Sequence, residues 1–391
     1  MLFSTKKRAP HCVDNTKGVP WQQAAVFWPR NKAGPLYRAL IVFHANKELR
    51  REAETRDREA GTFRAAGTYD ELGKGLGAFV RATHRRLASM ENGRGNYTRM
   101  HSREVATAAW TQFIEAILRR HPETVGIDPA WIFAGAYGHD IGKSVLPEAL
   151  LAKECGIELG WLKVFLGMKL TIVERSTLRH EHTRLSSELG KIYWDPSQNA
   201  GFNVAQDMMG LHHVTYNGLD GAYPSYPLGK RGADLPLHCR IAKTADFLSA
   251  VLPRQYRPVY HQQWVETVDH ALAYAIAVSG TELDPFTVSC LLTGMYDIPP
   301  GEADSLVHKL MYIGNPKNLS DMGFMKEYVM QHVGSNTEFM DAMKRRHDRK
   351  IVRYTEMIID CAEKFGIEIA PDFLVTSHYK EMLERRGDGQ K

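Results

Sequence analysis

The chain has 391 residues, 43% hydrophobic and 24% charged, a balance that excludes a disordered or fibrous polymer and suits a globular protein of two or three domains. Its 50 Lys and Arg against 45 Asp and Glu leave a formal charge of +5, too slight an excess for a nucleic-acid footprint, so no duplex nucleic acid is expected as a partner.

Residues 1–95 read as a mixed region of unknown role, in which "ALIVF" at 39–43 has the length and apolar content of a short strand. The charged stretch that follows is imperfectly spaced for i,i+4 ion pairs. The Gly-rich "MENGRGNYTRM" at 90–100 reads as a loop and a domain boundary. From Ser102 the pattern turns helical: Val105, Ala109, Trp110, Phe113, Ile114 and Ile117 recur at three-to-four spacing, and Arg119 and Arg120 suit the carboxyl end. "DPAWIFAGAYGHD" opens with an Asp cap and a Pro at the first helical position, predicting a short buried helix that runs into His139-Asp140. Helical patterns cover most of the remainder, and alternating strand runs are almost absent. The expected fold is mainly α, a helical domain over 96–297 with a C-terminal helical extension over 298–391. In that extension Met340, Met343, Ile351, Tyr354, Ile358 and Cys361 form a rough stripe suited to packing on the preceding helices, and the basic run at 343–350 suits a solvated face. The five cysteines, Cys12, Cys155, Cys239, Cys290 and Cys361, are odd in number and never form CxxC, which favours reduced thiols. The N-terminus has basic residues without an apolar h-region, and nothing reaches the ~18 uninterrupted apolar residues of a membrane span, so a cytoplasmic protein with no membrane partner is expected.

Histidine-aspartate adjacency carries the chemistry. His139-Asp140 and His212-His213 each end an apolar helical stretch, and Asp140 has no basic neighbour until Lys143, so burying it calls for a neutralising cation. Imidazoles and carboxylates without thiolates suit borderline cations: iron, manganese, zinc or nickel. Adjacent helical residues diverge by ~100°, so the pair serves two neighbouring ions more readily than one.

The series His101, His139-Asp140 with Lys143 in "HDIGK", His182 in "HEHTRLSSELG", His212-His213 in "LHHVTYNG" and Asp246 in "RIAKTADFLSAV" resembles the HD phosphohydrolase superfamily. Its order and spacing are similar to the HD-GYP branch, the cyclic dinucleotide phosphodiesterases, as are "PRQYRPVY" and "SGTELDPFTV" further on. That resemblance spans roughly residues 97–297 and implies an HD-domain helical bundle holding two divalent transition metal ions, iron or manganese foremost. It implies His101, His139 and Asp246 on one ion, a bridging Asp140, and His182, in preference to its neighbour His180, with His212 and His213 on the other. Lys143 would face a substrate phosphate, and Arg254 and Arg257 would bind substrate. The implied activity is hydrolysis of a 3',5'-cyclic dinucleotide, cyclic di-GMP or cyclic GMP-AMP, to the linear dinucleotide by a hydroxide that the two metals activate. Two other readings stay open: an HD-type di-iron oxygenase and a non-catalytic cyclic-dinucleotide receptor. Homo-oligomerisation also stays open. The departures are local. The branch's loop appears as "HHVTYNGLDGAYP", with Val214 for glutamate, Asn217 for aspartate and about two extra residues before Tyr223-Pro224. Tyr97 stands where some members carry a third-metal glutamate, so two metals are expected.

Overall fold

The computed structural model describes residues 34–65, 76–89, 97–112, 116–117, 120, 127–147, 150–151, 172–193, 201–218, 230–251, 268–312 and 326–344. Among them the only β feature is a single bridge between Ser279 and Leu283, and helices form the rest of the framework. The first seven are α1 (Gly34–Ala65), α2 (Leu76–Ser89), α3 (Tyr97–Gln112), α4 (Pro129–Gly138), α5 (Ile172–Tyr193), α6 (Gly201–Leu211) and α7 (Leu237–Val251). Three more, α8 (Val268–Ala277), α9 (Pro285–Tyr296) and α10 (Pro300–Leu310), complete the set.

The mainly α expectation holds, and the structure corrects it at two places. Residues 39–43 lie inside α1 and form no strand. Ile41 and Ala45 share its buried side while Phe43 is 70% exposed, a helical and not an alternating pattern once His44 is counted as buried. Residues 97–100, expected in a loop, form the first turn of α3, where Thr98 is buried. His101 therefore sits on a helix that begins well before Ser102.

α4 is the central post of the first core. Asp128 caps it by accepting from the Ala130 N–H at 2.9 Å, Pro129 starts it, and every residue from Trp131 to Gly138 is buried. A helix apolar on all sides must be surrounded, and α3, α6 and α2 pack around this one. Gly135 permits the closest approach, since a Cβ there would lie 2.7 Å from the Ala205 Cα of α6. Ile41 and Ala45 of α1 and Phe79, Val80 and Leu87 of α2 enter the same core.

α7 belongs to two cores. Ile241, Ala242 and Ala245 face the first, while Phe247, Leu248 and Val251 join α8, α9, α10 and residues 329–343 in a second. Asp246 thus lies at the seam. Met343 is buried in the second core and Met340 packs against it, whereas Ile351, Tyr354, Ile358 and Cys361 lie outside the described residues. Asp284 caps α9 through the Phe286 N–H at 3.0 Å and pairs with Arg240 of α7, so the "LDP" of "SGTELDPFTV" is the start of a helix tied to the Asp246 helix. No helix among the described residues is long and apolar enough to cross a membrane.

Candidate metal centre

Five helices deliver seven side chains to one buried point. His101 comes from the second turn of α3, His182 from mid-α5, His212 and His213 from the end of α6, and Asp246 from α7. His139 and Asp140 leave the end of α4 just before a 3-10 turn, Ile141–Val145. That turn lies on α5, where the Gly142 N–H donates to Ser186 Oγ at 2.8 Å. A Cβ on Gly142 would collide with the backbone of His182, Leu185 and Ser186, so glycine is what lets the turn reach α5 and bring Asp140 beside His182.

The distances divide the cluster into two halves. His101 Nε2 lies 3.0 Å from Asp246 Oδ1 and 3.2 Å from His139 Nε2. His182 Nε2 lies 3.3 Å from His212 Nε2 and 3.1 Å from His213 Nε2. Asp140 stands between them, Oδ1 at 3.4 Å from His182 Nε2 and Oδ2 at 3.6 Å from His139 Nε2. Three sets, His101/His139/Asp246, His182/His212/His213 and His139/Asp140/His212, each hold ligand atoms within 4.8 Å of one another.

The protons rule out a hydrogen bond at two of the cluster's contacts, His101 with His139 and His182 with His212. His139 Nδ1 is 2.7 Å from Ala136 O, His182 Nδ1 is 2.7 Å from Leu178 O, and His212 Nδ1 is 3.0 Å from Met209 O. A carbonyl only accepts, so each Nδ1 carries the proton and each neutral ring turns a lone pair at Nε2 toward the others. His101 follows suit: its Nδ1 is 2.9 Å from Ser249 Oγ, whose single proton is directed at Glu104 Oε2, also 2.9 Å away. A proton on His101 Nε2 instead would leave Ser249 Oγ and the Glu104 carboxylate as facing acceptors. Lone pairs facing each other at 3.2–3.3 Å repel unless cations lie between them. The charges agree: two buried carboxylates meet one ammonium, Lys143 Nζ at 2.8 Å from Asp140 Oδ2, which leaves negative charge over. The residues fit divalent cations, which would supply the missing positive charge.

Burial pushes the His101 imidazole down to about 4, although the Asp246 carboxylate pulls the other way, and burial together with His139 holds His212 well below the ordinary imidazole range. Burial would raise Asp140, but Lys143 and the surrounding imidazoles outweigh it and keep its carboxyl well below the usual carboxylate range. Burial likewise acts to raise Asp246, but its contact with His101 overrides this and holds its carboxyl below the usual carboxylate range. Neutral imidazoles and ionised carboxylates are the protonation states that bind metal.

No family model matches the chain. Among curated proteins, the cyclic di-GMP phosphodiesterase response regulator RpfG of Xanthomonas campestris pv. campestris is 34% identical over 156 residues, 40% of this chain and 34% of that protein. A probable cyclic di-GMP phosphodiesterase of Vibrio cholerae serotype O1 is 30% identical over 168 residues, 41% of this chain and 31% of that protein. Over the matched part this chain is similar to HD-GYP-type phosphodiesterases. The chain spans about a third of the length of these curated relatives.

Around the centre, the loop after His213 docks on the turn between α8 and α9: the Tyr216 and Asn217 N–H groups donate to Glu282 O at 3.0 Å and Thr281 O at 2.9 Å. Val214 lines a small cavity with Leu211, Tyr216, Arg240 and Lys243. Tyr97 is helical, and its side chain lies outside the described residues, as do Tyr223-Pro224, Arg254, Arg257 and the His180 side chain. Ser186, Ser249 and Glu104 escaped the sequence reading. Ser249 follows Asp246 by three positions and Glu104 follows His101 by three, a spacing that puts each one helical turn beyond a ligand.

Proposed function

We propose that the chain is a metal-dependent phosphodiesterase that opens a 3',5'-cyclic dinucleotide, cyclic di-GMP or cyclic GMP-AMP, to the linear dinucleotide. The observation that carries this reading is the two pairs of facing acceptor-only imidazole nitrogens, His101 with His139 and His182 with His212, on either side of Asp140 in a cluster of three overlapping ligand sets. His101, His139 and Asp246 would hold one divalent ion, His182, His212 and His213 the other, and Asp140 would bridge. Iron and manganese are the proposed metals, since both take mixed imidazole and carboxylate ligands. When bound, two such ions acidify a water at neutral pH and offset the charge that develops on the phosphoryl oxygens.

The protein's own groups do the rest. The backbone carbonyls of Ala136, Leu178 and Met209 lock three imidazoles in the ligating tautomer, which removes the cost of ordering them during turnover. Lys143, held near Asp140, presents an ammonium to a phosphate oxygen, and Arg254 and Arg257 are proposed to steady the substrate's other phosphate. All the proposed ligands fall between residues 96 and 297, the span proposed as the catalytic unit. The curated names of both relatives support hydrolysis over dioxygen activation and over binding alone.

The test is incubation of the metal-loaded chain with cyclic di-GMP and, separately, cyclic GMP-AMP, followed by chromatography. Linear dinucleotide is the expected product. Recovery of both substrates intact from protein carrying two metals overturns the activity, and oxygen consumption by an iron-loaded sample would move the reading to an oxygenase.

A further inference from the structure

We propose that Glu104, acting through Ser249, is a positioning residue for His101, and that this relay strengthens one of the two metal sites and not the other. The inference rests on the reading of the cluster as a metal centre. His139, His182 and His212 each turn Nδ1 to a carbonyl three or four residues earlier, a support that comes with the local backbone. His101 is held across helices: Nδ1 to Ser249 Oγ at 2.9 Å on α7, and Ser249 Oγ to Glu104 Oε2 at 2.9 Å back on α3.

The arrangement is a closed brace between two helices. α3 contributes a ligand and its remote support, His101 and Glu104, while α7 contributes Asp246 and Ser249, and the ligands themselves meet at 3.0 Å. All four side chains are buried, so water does not compete for these bonds. The relay has two physical effects. It fixes the His101 tautomer, keeping the Nε2 lone pair aimed at the Asp246 side of the cluster. It also ends in a carboxylate, and a negative group two hydrogen bonds away polarises the chain and makes the ring a stronger donor to a cation. His182, His212 and His213 have no share in this brace. The asymmetry predicts that breaking the relay weakens the His101/His139/Asp246 site and spares the other.

The experiment is Mn2+ titration of the full chain, free Mn2+ being followed by electron paramagnetic resonance at fixed pH. Wild type, Ser249→Ala, Ser249→Thr and Glu104→Gln are compared, with the urea midpoint of each metal-free variant as a folding check. Ser249→Ala is expected to weaken one of two sites by ~10–100-fold and leave the second unchanged. Ser249→Thr, which keeps the hydroxyl, is expected to stay within about 3-fold of wild type, and Glu104→Gln to fall between the two. Two unchanged sites in Ser249→Ala overturn the relay, as does an equal loss in Ser249→Thr, which would mark a packing effect. A Glu104→Gln variant identical to wild type overturns the role of the carboxylate. If Ser249→Ala does not fold, the threonine and glutamine variants decide between these outcomes. Failure of wild type itself to take up Mn2+ or Fe2+ overturns the metal reading on which the relay stands, a result distinct from the others.

Discussion

Replacing Gly142 by alanine adds one methyl group at the point where the His-Asp turn touches α5. The new Cβ would lie 2.8 Å from the Leu185 carbonyl carbon, and nearer still to His182 O and Ser186 N. These are helix backbone atoms with no rotamer to change, so the turn itself must retreat by on the order of 1 Å to restore ordinary contact. Retreat breaks the 2.8 Å bond from the Gly142 N–H to Ser186 Oγ and opens the 3.4 Å gap between Asp140 Oδ1 and His182 Nε2. Overpacking of this kind costs ~1–3 kcal/mol and the lost hydrogen bond about 1 more, so Gly142→Ala should lose roughly 2–4 kcal/mol of stability. A displacement of this size at a reacting centre costs ~100-fold in rate, so hydrolysis should fall further than stability alone would explain. Urea unfolding of the chelator-treated protein gives the first quantity, and metal content with turnover gives the second. An alanine variant within about 0.5 kcal/mol of wild type that keeps two metals per chain would refute the account of the glycine.

Asp140→Asn keeps the shape of the bridging side chain and removes its charge, and metal content should fall below two per chain with at least a ~100-fold loss of hydrolysis, measured by elemental analysis and chromatography. Undiminished metal content would show that Asp140 does not bridge. The pH dependence of the chelator-treated protein should have a definite sign. With His101 at about 4 in the folded chain and ~6.5 when unfolded, the unfolded state binds more protons between those values. Stability is therefore complete above ~6.5 and declines on acidification by up to about 1.4 kcal/mol per pH unit for this group, with His212 adding in the same direction. The depressed carboxyls of Asp140 and Asp246 continue the decline below the ordinary carboxylate range. A melting temperature that stays flat between pH 7 and 5 would contradict the buried neutral imidazoles. Finally, Arg120 donates to both Asp304 oxygens at 2.8 and 2.7 Å, with the carboxylate partly in solvent, so Arg120→Ala should cost about 1–2 kcal/mol in urea while leaving metal content unchanged. A loss of metal in that variant would mean that the attachment of α10 and the centre are coupled.

Part of this molecule was written in local chemistry that needs no coordinates. Asp128-Pro129 starts a helix because a carboxylate and a fixed φ suit the first turn wherever they occur, and the cap forms; Asp284-Pro285, read only as part of a family-like segment, begins a helix in the same way. The seven histidines and aspartates are singled out by a family resemblance in their order, and local chemistry adds that such a donor set suits borderline cations. Other features depend on what packs against what. The run at 39–43 is a helix since α1 buries Ile41 and Ala45 along one side of a bundle, a partner that five apolar letters do not specify. Gly142 matters through the backbone of α5, 40 residues later in the chain, and Ser249 and Glu104 through a brace between helices 145 positions apart. Spacing along a chain sets which residues share a helix face, whereas the contacts that select a tautomer or forbid a methyl group are made only when separate helices close around one core.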